Sequence, residues 1–235
     1  MSCAGDRAAA RPRGRHLLRS SGLAQDIVRD AGVEPGDLVV DVGAGSGMLT
    51  RALLRVGARV LALEPDRKLA RRLRRACPEA AIRVVEAGPA AWPDEPFRVV
   101  ANLPFAHAAA ICRSLLGDPG VALLSADLIV EWDFAAKRAR LWPSTALGAV
   151  WGAWYELAVA RRIEPGGFVP RPSVAAAVLR ARRRPRPLVR PDDARRYDAF
   201  VRHGFRTSRR ARELDAHAWA RRWQESSARG RKLGA

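Results

Sequence analysis

The sequence predicts an α/β protein: a parallel sheet covered by helices on both faces, followed by a small C-terminal helical domain. Three observations carry this. Short apolar runs alternate with segments whose apolar residues recur at helical spacing, the pattern of a doubly wound sheet. A chain of 235 residues is long enough for one large domain and an appendage. The composition then changes at "RRRPRPLVRP" (182–191), a basic, proline-rich linker that divides a body of residues 1–181 from a tail of residues 182–235.

The elements follow in order. "DLVVDVGA" (37–44) is a buried-strand run ending in glycines, and "MLTRALLRVG" (48–57) places Leu49, Leu53 and Leu54 on one helical face. "RVLALEPD" (59–66) is a second strand. "RKLARRLRRACP" (67–78) is a helix with Leu69, Leu73 and Ala76 inward, its arginines outward, and Pro78 at its end. "IRVVEAG" (82–88) and "FRVVAN" (97–102) read as strands three and four, "AHAAAICRSLLG" (106–117) as a helix, and "GVALLSADLIVEW" (120–132) contains a fifth strand. "WYELAVARRI" (154–163) and "SVAAAVLRA" (173–181) form a closing pair joined by a Gly/Pro loop. In the tail, Tyr197, Phe200, Val201, Gly204 and Phe205 make one helical stripe and Ala211, Leu214, Ala218 and Trp219 a second, with the final "ESSARGRKLGA" expected to fray.

Composition excludes several classes. No run of 18 apolar residues exists to span a membrane, and "MSCAGDRAAARPRGR" lacks the apolar core of a secretory signal. Cys3, Cys77 and Cys112 have no metal-ligand spacing and read as reduced thiols of a cytoplasmic, metal-free protein, expected to be a monomer. The net charge of +18 is unevenly placed: +4 in residues 1–20, +12 in residues 180–235, and only +2 between. Basic ends on a nearly neutral body point to a nucleic-acid partner. A solvated tail or a genome-wide arginine bias is the alternative, although a bias would enrich the middle equally.

Two motifs carry chemistry. "DVGAGSG" sets Gly43, Gly45 and Gly47 between a strand and a helix, where a ligand can approach backbone with no Cβ in the way. A dinucleotide fingerprint would need glycine where Met48 stands; the spacing matches instead the loop that holds S-adenosylmethionine in methyltransferases of this strand–helix pattern. Glu64, closing the next strand, lies where a carboxylate accepts from both ribose hydroxyls, unless it is an ordinary strand-end acid. Asn102, Leu103, Pro104 and Phe105 ("NLPF") then fall at the end of strand four, beside the methyl donor in such a sheet. Alone, these four residues could simply end a strand. A base amine is a poor nucleophile because its lone pair is conjugated with the ring. The side-chain carbonyl of Asn102 and the main-chain carbonyl of Leu103 can accept its two N–H bonds, while Pro104 stiffens the turn and Phe105 offers a stacking face. His107, at a helix start, reads as structural or exposed.

The ordered motifs resemble the ribosomal RNA adenine N6-methyltransferases over residues 14–181, and within them the Erm-type enzymes that modify 23S rRNA and confer macrolide–lincosamide–streptogramin B resistance. "DVGAGSG" resembles their cofactor loop, "ALEPD" the ribose segment and "NLPF" the catalytic tetrad. "LIVEWDFAAKR" (128–138) is similar to the fifth strand and following helix, and "GGFVPRPSVAAAVLR" (166–180) to the F-x-P-x-P-x-V hairpin. The resemblance implies a Rossmann-like class I methyltransferase sheet, S-adenosylmethionine as cofactor and 23S ribosomal RNA as partner; the charge of the tail adds the expectation that residues 182–235 bind RNA. Two places depart from the family. Its Q-N-F-like segment, which closes over the methionine moiety, is here Arg15, His16, Leu17, with Leu18 following; His16 and Leu18 are the cofactor contacts implied. The aspartate that accepts the cofactor's adenine amine is replaced by Gly88, with Glu86 a substitute farther inward. Methylation at another rRNA position, or a nucleic-acid-binding relative that has lost catalysis, are the alternative expectations.

Overall fold

The structure, a computed structural model, describes residues 16–139 and 145–232. The N-terminal arginines up to Arg15, with Cys3, lie outside the described residues. The chain runs β1 (Leu17–Leu18), α1 (Ser21–Ala31), β2 (Leu38–Val42), α2 (Met48–Arg55), β3 (Arg59–Leu63), α3 (Arg67–Ala76), β4 (Ala81–Arg83), β5 (Phe97–Asn102), α4 (Ala108–Leu116), β6 (Leu123–Glu131), α5 (Trp132–Arg138), α6 (Ala146–Trp151), β7 (Tyr155–Ile163), β8 (Phe168–Val169), β9 (Ala176–Arg183), α7 (Ala194–Thr207) and α8 (Ala216–Lys232). Among the described residues the main sheet has the order β4-β3-β2-β5-β6-β9-β7, and β1 pairs with β8 in a separate two-stranded ladder.

The sheet is parallel from β4 to β6, and the closing pair, β9 and β7, joins it antiparallel. The last two strands form a hairpin that turns back on β6 with β9 inside. Successive residues of each strand serve opposite faces. Val39, Val100, Ile129 and Val178 pack with α1 and α2, whereas Val40, Val99, Leu128 and Leu179 pack with α4 and α6. Local signals set the helix starts. The Ser20 hydroxyl caps α1 by accepting from the Gly22 and Leu23 amides, and Asp66 caps α3 by accepting from those of Lys68 and Leu69. The buried Asp127 on β6 accepts from Arg180 and Arg182 of β9 at 2.7 and 2.8 Å, which fixes the register of the antiparallel edge.

Element bounds differ from expectation in two places, the third expected strand and the tail's second stripe. The strand expected over 82–88 ends at Arg83, because its partner β3 ends at Leu63, opposite Arg83, and leaves nothing to pair with. Strand β9 runs on to Arg183, two residues past Ala181. The tail's second stripe is divided: Ala211 lies in a 3-10 turn (Arg209–Glu213), and α8 starts only at Ala216 but continues to Lys232, through the segment expected to fray.

The tail shares its core with the body. Tyr197, Val201, Ala211 and Trp219 belong to the same buried cluster as Trp151, Trp154 and the sheet. The Trp154 indole donates to the Val189 carbonyl at 3.1 Å, and the Tyr197 ring meets Trp154 edge-on at 5.8 Å. Helices α7 and α8 touch so closely that a Cβ at Gly204 would lie 2.3 Å from the Trp219 ring.

Candidate active site

The site lies at the carboxyl ends of β2, β3 and β5, where a doubly wound sheet opens its crevice. Gly43, Gly45 and Gly47 have φ of 68°, 56° and 77°, the left-handed region that favours glycine. The chain therefore turns sharply out of β2 and into α2. A Cβ at Gly43 would touch Pro104 at 3.5 Å, and one at Gly45 would lie 3.3 Å from Leu17. Glu64 is buried and holds this turn. One carboxylate oxygen accepts from the Gly45 amide and the other from the Asp66 amide, both at 2.9 Å. Its first visible role is thus to bind the loops after β2 and β3 together.

Beneath the loop, Asp41 is buried and accepts from the Thr50 hydroxyl at 2.7 Å. Burial pushes its pKa up to about 7, against the pull of the Thr50 hydrogen bonds, and the charge of nearby Glu64 adds to the rise.

Asn102 is the last residue of β5. Its side-chain nitrogen donates to the main-chain carbonyl of His16 at 2.7 Å, and its oxygen, Oδ1, is buried with no partner among the described residues. Leu103 is buried and its amide donates to the Ile129 carbonyl at 3.1 Å. The Pro104 carbonyl accepts from the His107 amide at 2.9 Å, turning the chain into α4. Phe105 is half-buried between His16 and Phe168, at ring separations of 5.3 and 6.3 Å.

The N-terminal strand closes over this end. Leu17 pairs with Val169 and Leu18 with Phe168, and the His16 ring Nδ1 donates to the Pro170 carbonyl at 2.8 Å. A two-residue strand sends its neighbours to opposite sides. Leu17 therefore faces the glycine loop, whereas Leu18 enters the core beside Ile27 and Phe168. Of the two side chains, that of Leu17 borders the small cavity and that of Leu18 lies in the core.

Two adjoining cavities result. A small one of about 50 Å³ brings His16, Gly43, Gly45, Glu64, Asn102 and Pro104 together. A second of about 330 Å³ shares Gly43, Pro65 and Pro104 with it and extends past Val42, Leu63, Ile111, Glu86 and the exposed His107. Gly88 is not among the residues around either cavity. Its backbone is extended, and a Cβ there would meet nothing within 4 Å. Gly47 likewise stands behind the cavities, against Leu73 and Arg51. The contributions of Leu17 and the His16 carbonyl escape motif reading, since neither has a side-chain signature there, and Asp41 stands first in "DVGAGSG" without anything in the motif to pair it with Thr50.

Comparison with known proteins gives consistent matches. The model of the family described as ribosomal RNA adenine dimethylase matches residues 9–218. A protein of Aeromicrobium erythreum named rRNA adenine N-6-methyltransferase is 38% identical over 197 residues, 82% of this chain and 57% of that protein. The mycinamicin-resistance protein MyrB of Micromonospora griseorubida is 31% identical over 222 residues, 89% of this chain and 70% of that protein. This chain therefore spans little more than half the length of the first relative. Among solved structures, that of the 23S rRNA methyltransferase ErmE superposes with a TM-score of 0.71 at 28% identity, covering 81% of this chain and 79% of that one.

Proposed function

Because this chain belongs to the ribosomal RNA adenine dimethylase family, we propose that it methylates the exocyclic N6 of an adenine in 23S ribosomal RNA, using S-adenosylmethionine, and thereby protects cytoplasmic ribosomes from macrolide-type drugs. The observation that carries this reading is Asn102. Its nitrogen is occupied by the His16 carbonyl, which leaves a fixed, desolvated oxygen with acceptor capacity unused among the described residues. Leaving such an atom without a partner is costly unless a ligand satisfies it.

The residues present fit the cofactor. Gly43 and Gly45 form a cradle that side chains would fill, Glu64 offers acceptor oxygens at its floor, and Val42, Leu63 and Ile111 line an apolar slot with the Glu86 carboxylate beside it. When bound, S-adenosylmethionine supplies an activated methyl group. Asn102 Oδ1 and the Leu103 carbonyl accept the two N–H bonds of the target amine. This holds its lone pair out of conjugation with the ring, and the Phe105 ring supports the base. Pro104, packed on Gly43, keeps the tetrad and the cofactor loop in one register. In this reading residues 1–181 supply the catalytic part, and the basic residues of 182–235 contribute to holding RNA.

Transfer of a labelled methyl group from S-adenosylmethionine to purified 23S and 16S rRNA tests the proposal. Label recovered as N6-methyladenine from 23S rRNA is expected. A folded protein that labels neither RNA, or labels only 16S, overturns it.

A further inference from the structure

Helix α3 carries six cations in ten residues: Arg67, Lys68, Arg71, Arg72, Arg74 and Arg75. All six are exposed, and none is in an ion pair among the described residues; Arg74 also donates to the Ile82 carbonyl at 3.1 Å. At 100° per residue they fill an arc of about 160°, opposite the inward Leu69, Ala70 and Leu73. The arrangement is unfavourable for an isolated helix. Arg67–Arg71, Lys68–Arg72 and Arg71–Arg75 are like-charge neighbours four apart, and Arg67 and Lys68 stand at the positive end of the helix dipole.

A merely solvated arginine face relieves such strain with acids one turn away. Helix α7 does so, pairing Arg202 with Asp198 at 2.7 Å and Arg196 with Asp193 at 3.5 Å. Helix α3 has no acid between its cap and its last residue. Its six charges along about 12 Å give one per ~2 Å, close to the one per ~1.7 Å presented by a nucleic-acid duplex. Its position suits the same partner. Arg67 follows Pro65 by two residues, and Pro65 lines both cavities, so the first turn of α3 stands at the rim of the candidate active site.

We propose that the outer face of α3 grips the phosphate backbone of the RNA duplex flanking the target adenine, as a contact separate from the basic tail. The inference rests on the RNA substrate proposed above. The tail packs on α6, on the face of the sheet opposite α1 and α2, whereas α3 covers β3 and β4 at the far edge through Leu73, Cys77 and Ala62. RNA held by both is supported on two sides of the site, which orients the duplex as well as retaining it.

The test uses the full chain, the variant Arg67→Gln/Arg71→Gln/Arg75→Gln, and an RNA hairpin of about 20 base pairs as probe, with binding followed by fluorescence anisotropy from about 50 to 300 mM salt. Each phosphate contact adds about 0.7–0.9 to the slope of log K against log salt, so the variant's slope should flatten by about two to three. Arg→Lys at the same three positions should keep the wild-type slope. Glutamine propagates a helix as well as arginine does, so the Gln variant should melt no lower than wild type. If it fails to fold, Arg71→Gln alone should flatten the slope by about 0.7–0.9, and an unchanged slope overturns the contact. Methyl transfer to 23S rRNA, measured alongside, separates the two readings: a wild type that methylates, with a Gln variant of unchanged slope, overturns the α3 contact alone. Phosphatidylserine vesicles form the last arm. Vesicle binding lost in the Gln variant while RNA binding persists unchanged overturns it in favour of a lipid surface.

Discussion

The Asn102 side-chain amide donates to the His16 main-chain carbonyl at 2.7 Å, joining positions 86 residues apart. This bond selects the amide's orientation. With the nitrogen committed to a carbonyl, the oxygen is the atom left for a ligand, and an acceptor is what an amine substrate requires.

Asn102→Ala should therefore lower methyl transfer by about 10²-fold or more, on the scale of losing one preorganised polar contact at a reacting centre. S-adenosylmethionine affinity, measured by calorimetry, should change little. Asn102→Asp should be no better, because a carboxylate oxygen would face the His16 carbonyl without a proton between them. Wild-type turnover in either variant returns the tetrad to a strand-ending turn.

Glu86 borders the larger cavity and Gly88 does not. Glu86→Ala should weaken S-adenosylmethionine binding by about 0.5–3 kcal/mol, the range for hydrogen bonds to neutral and charged groups. Gly88→Asp should fold normally, since its extended backbone suits any residue and a Cβ enters open space. It should leave cofactor affinity unchanged. Tighter binding in Gly88→Asp would show that the loop brings position 88 to the cavity.

Asp41 makes stability depend on pH. A carboxyl whose pKa rises from 3.8 unfolded to about 7 folded holds its proton more tightly when folded. Its contribution therefore falls as pH climbs from 3.8 to about 7, and is constant above that. Asp41→Asn keeps an acceptor for Thr50 and removes the ionisation. Its melting temperature relative to wild type should increase across that window and then level off. A difference independent of pH would assign Asp41 an ordinary pKa.

Tyr197 is fully buried, and its hydroxyl has no partner among the described residues. Tyr197→Phe removes an unsatisfied group without changing the ring, and should stabilise the protein by about 1 kcal/mol in urea titration. Tyr197→Ala should cost about 3–5 kcal/mol, because the cavity opens against Trp154 and Trp223. A neutral Tyr197→Ala would mean that the tail's core is separate from that of the body.

Contiguous features were the legible ones. The glycine turn, Glu64 and the Asn102–Phe105 tetrad each lie within a few residues of a strand end, and strand periodicity places that end to within a residue or two. What escaped was set by distant partners. Strand β4 stops where β3 ends, so Glu86 reaches the cavity from a loop. Which of Leu17 and Leu18 faces the glycine loop depends on pairing with Phe168 and Val169, and the His16 contact uses a main-chain atom that every residue possesses. The tail's two amphipathic stripes were visible, but their burial against Trp151 and Trp154 was not, since apolar faces do not name their partners.

The β1–β8 ladder also bears on the order in which the molecule is completed. Its contacts bridge some 150 positions, as between His16 and Pro170, and join the first described residues to a loop that follows nearly all of the sheet. Long-range closures of this kind cost loop entropy that is recovered only after the intervening sheet exists. The carbonyl that aims Asn102 thus arrives late. A nearly complete chain would have its glycine turn and its sheet, yet lack an aimed acceptor until residues 16–18 dock on residues 168–170. Under the proposed function, reactivity toward the base would be a property of the finished molecule, and partly assembled copies would be silent toward RNA.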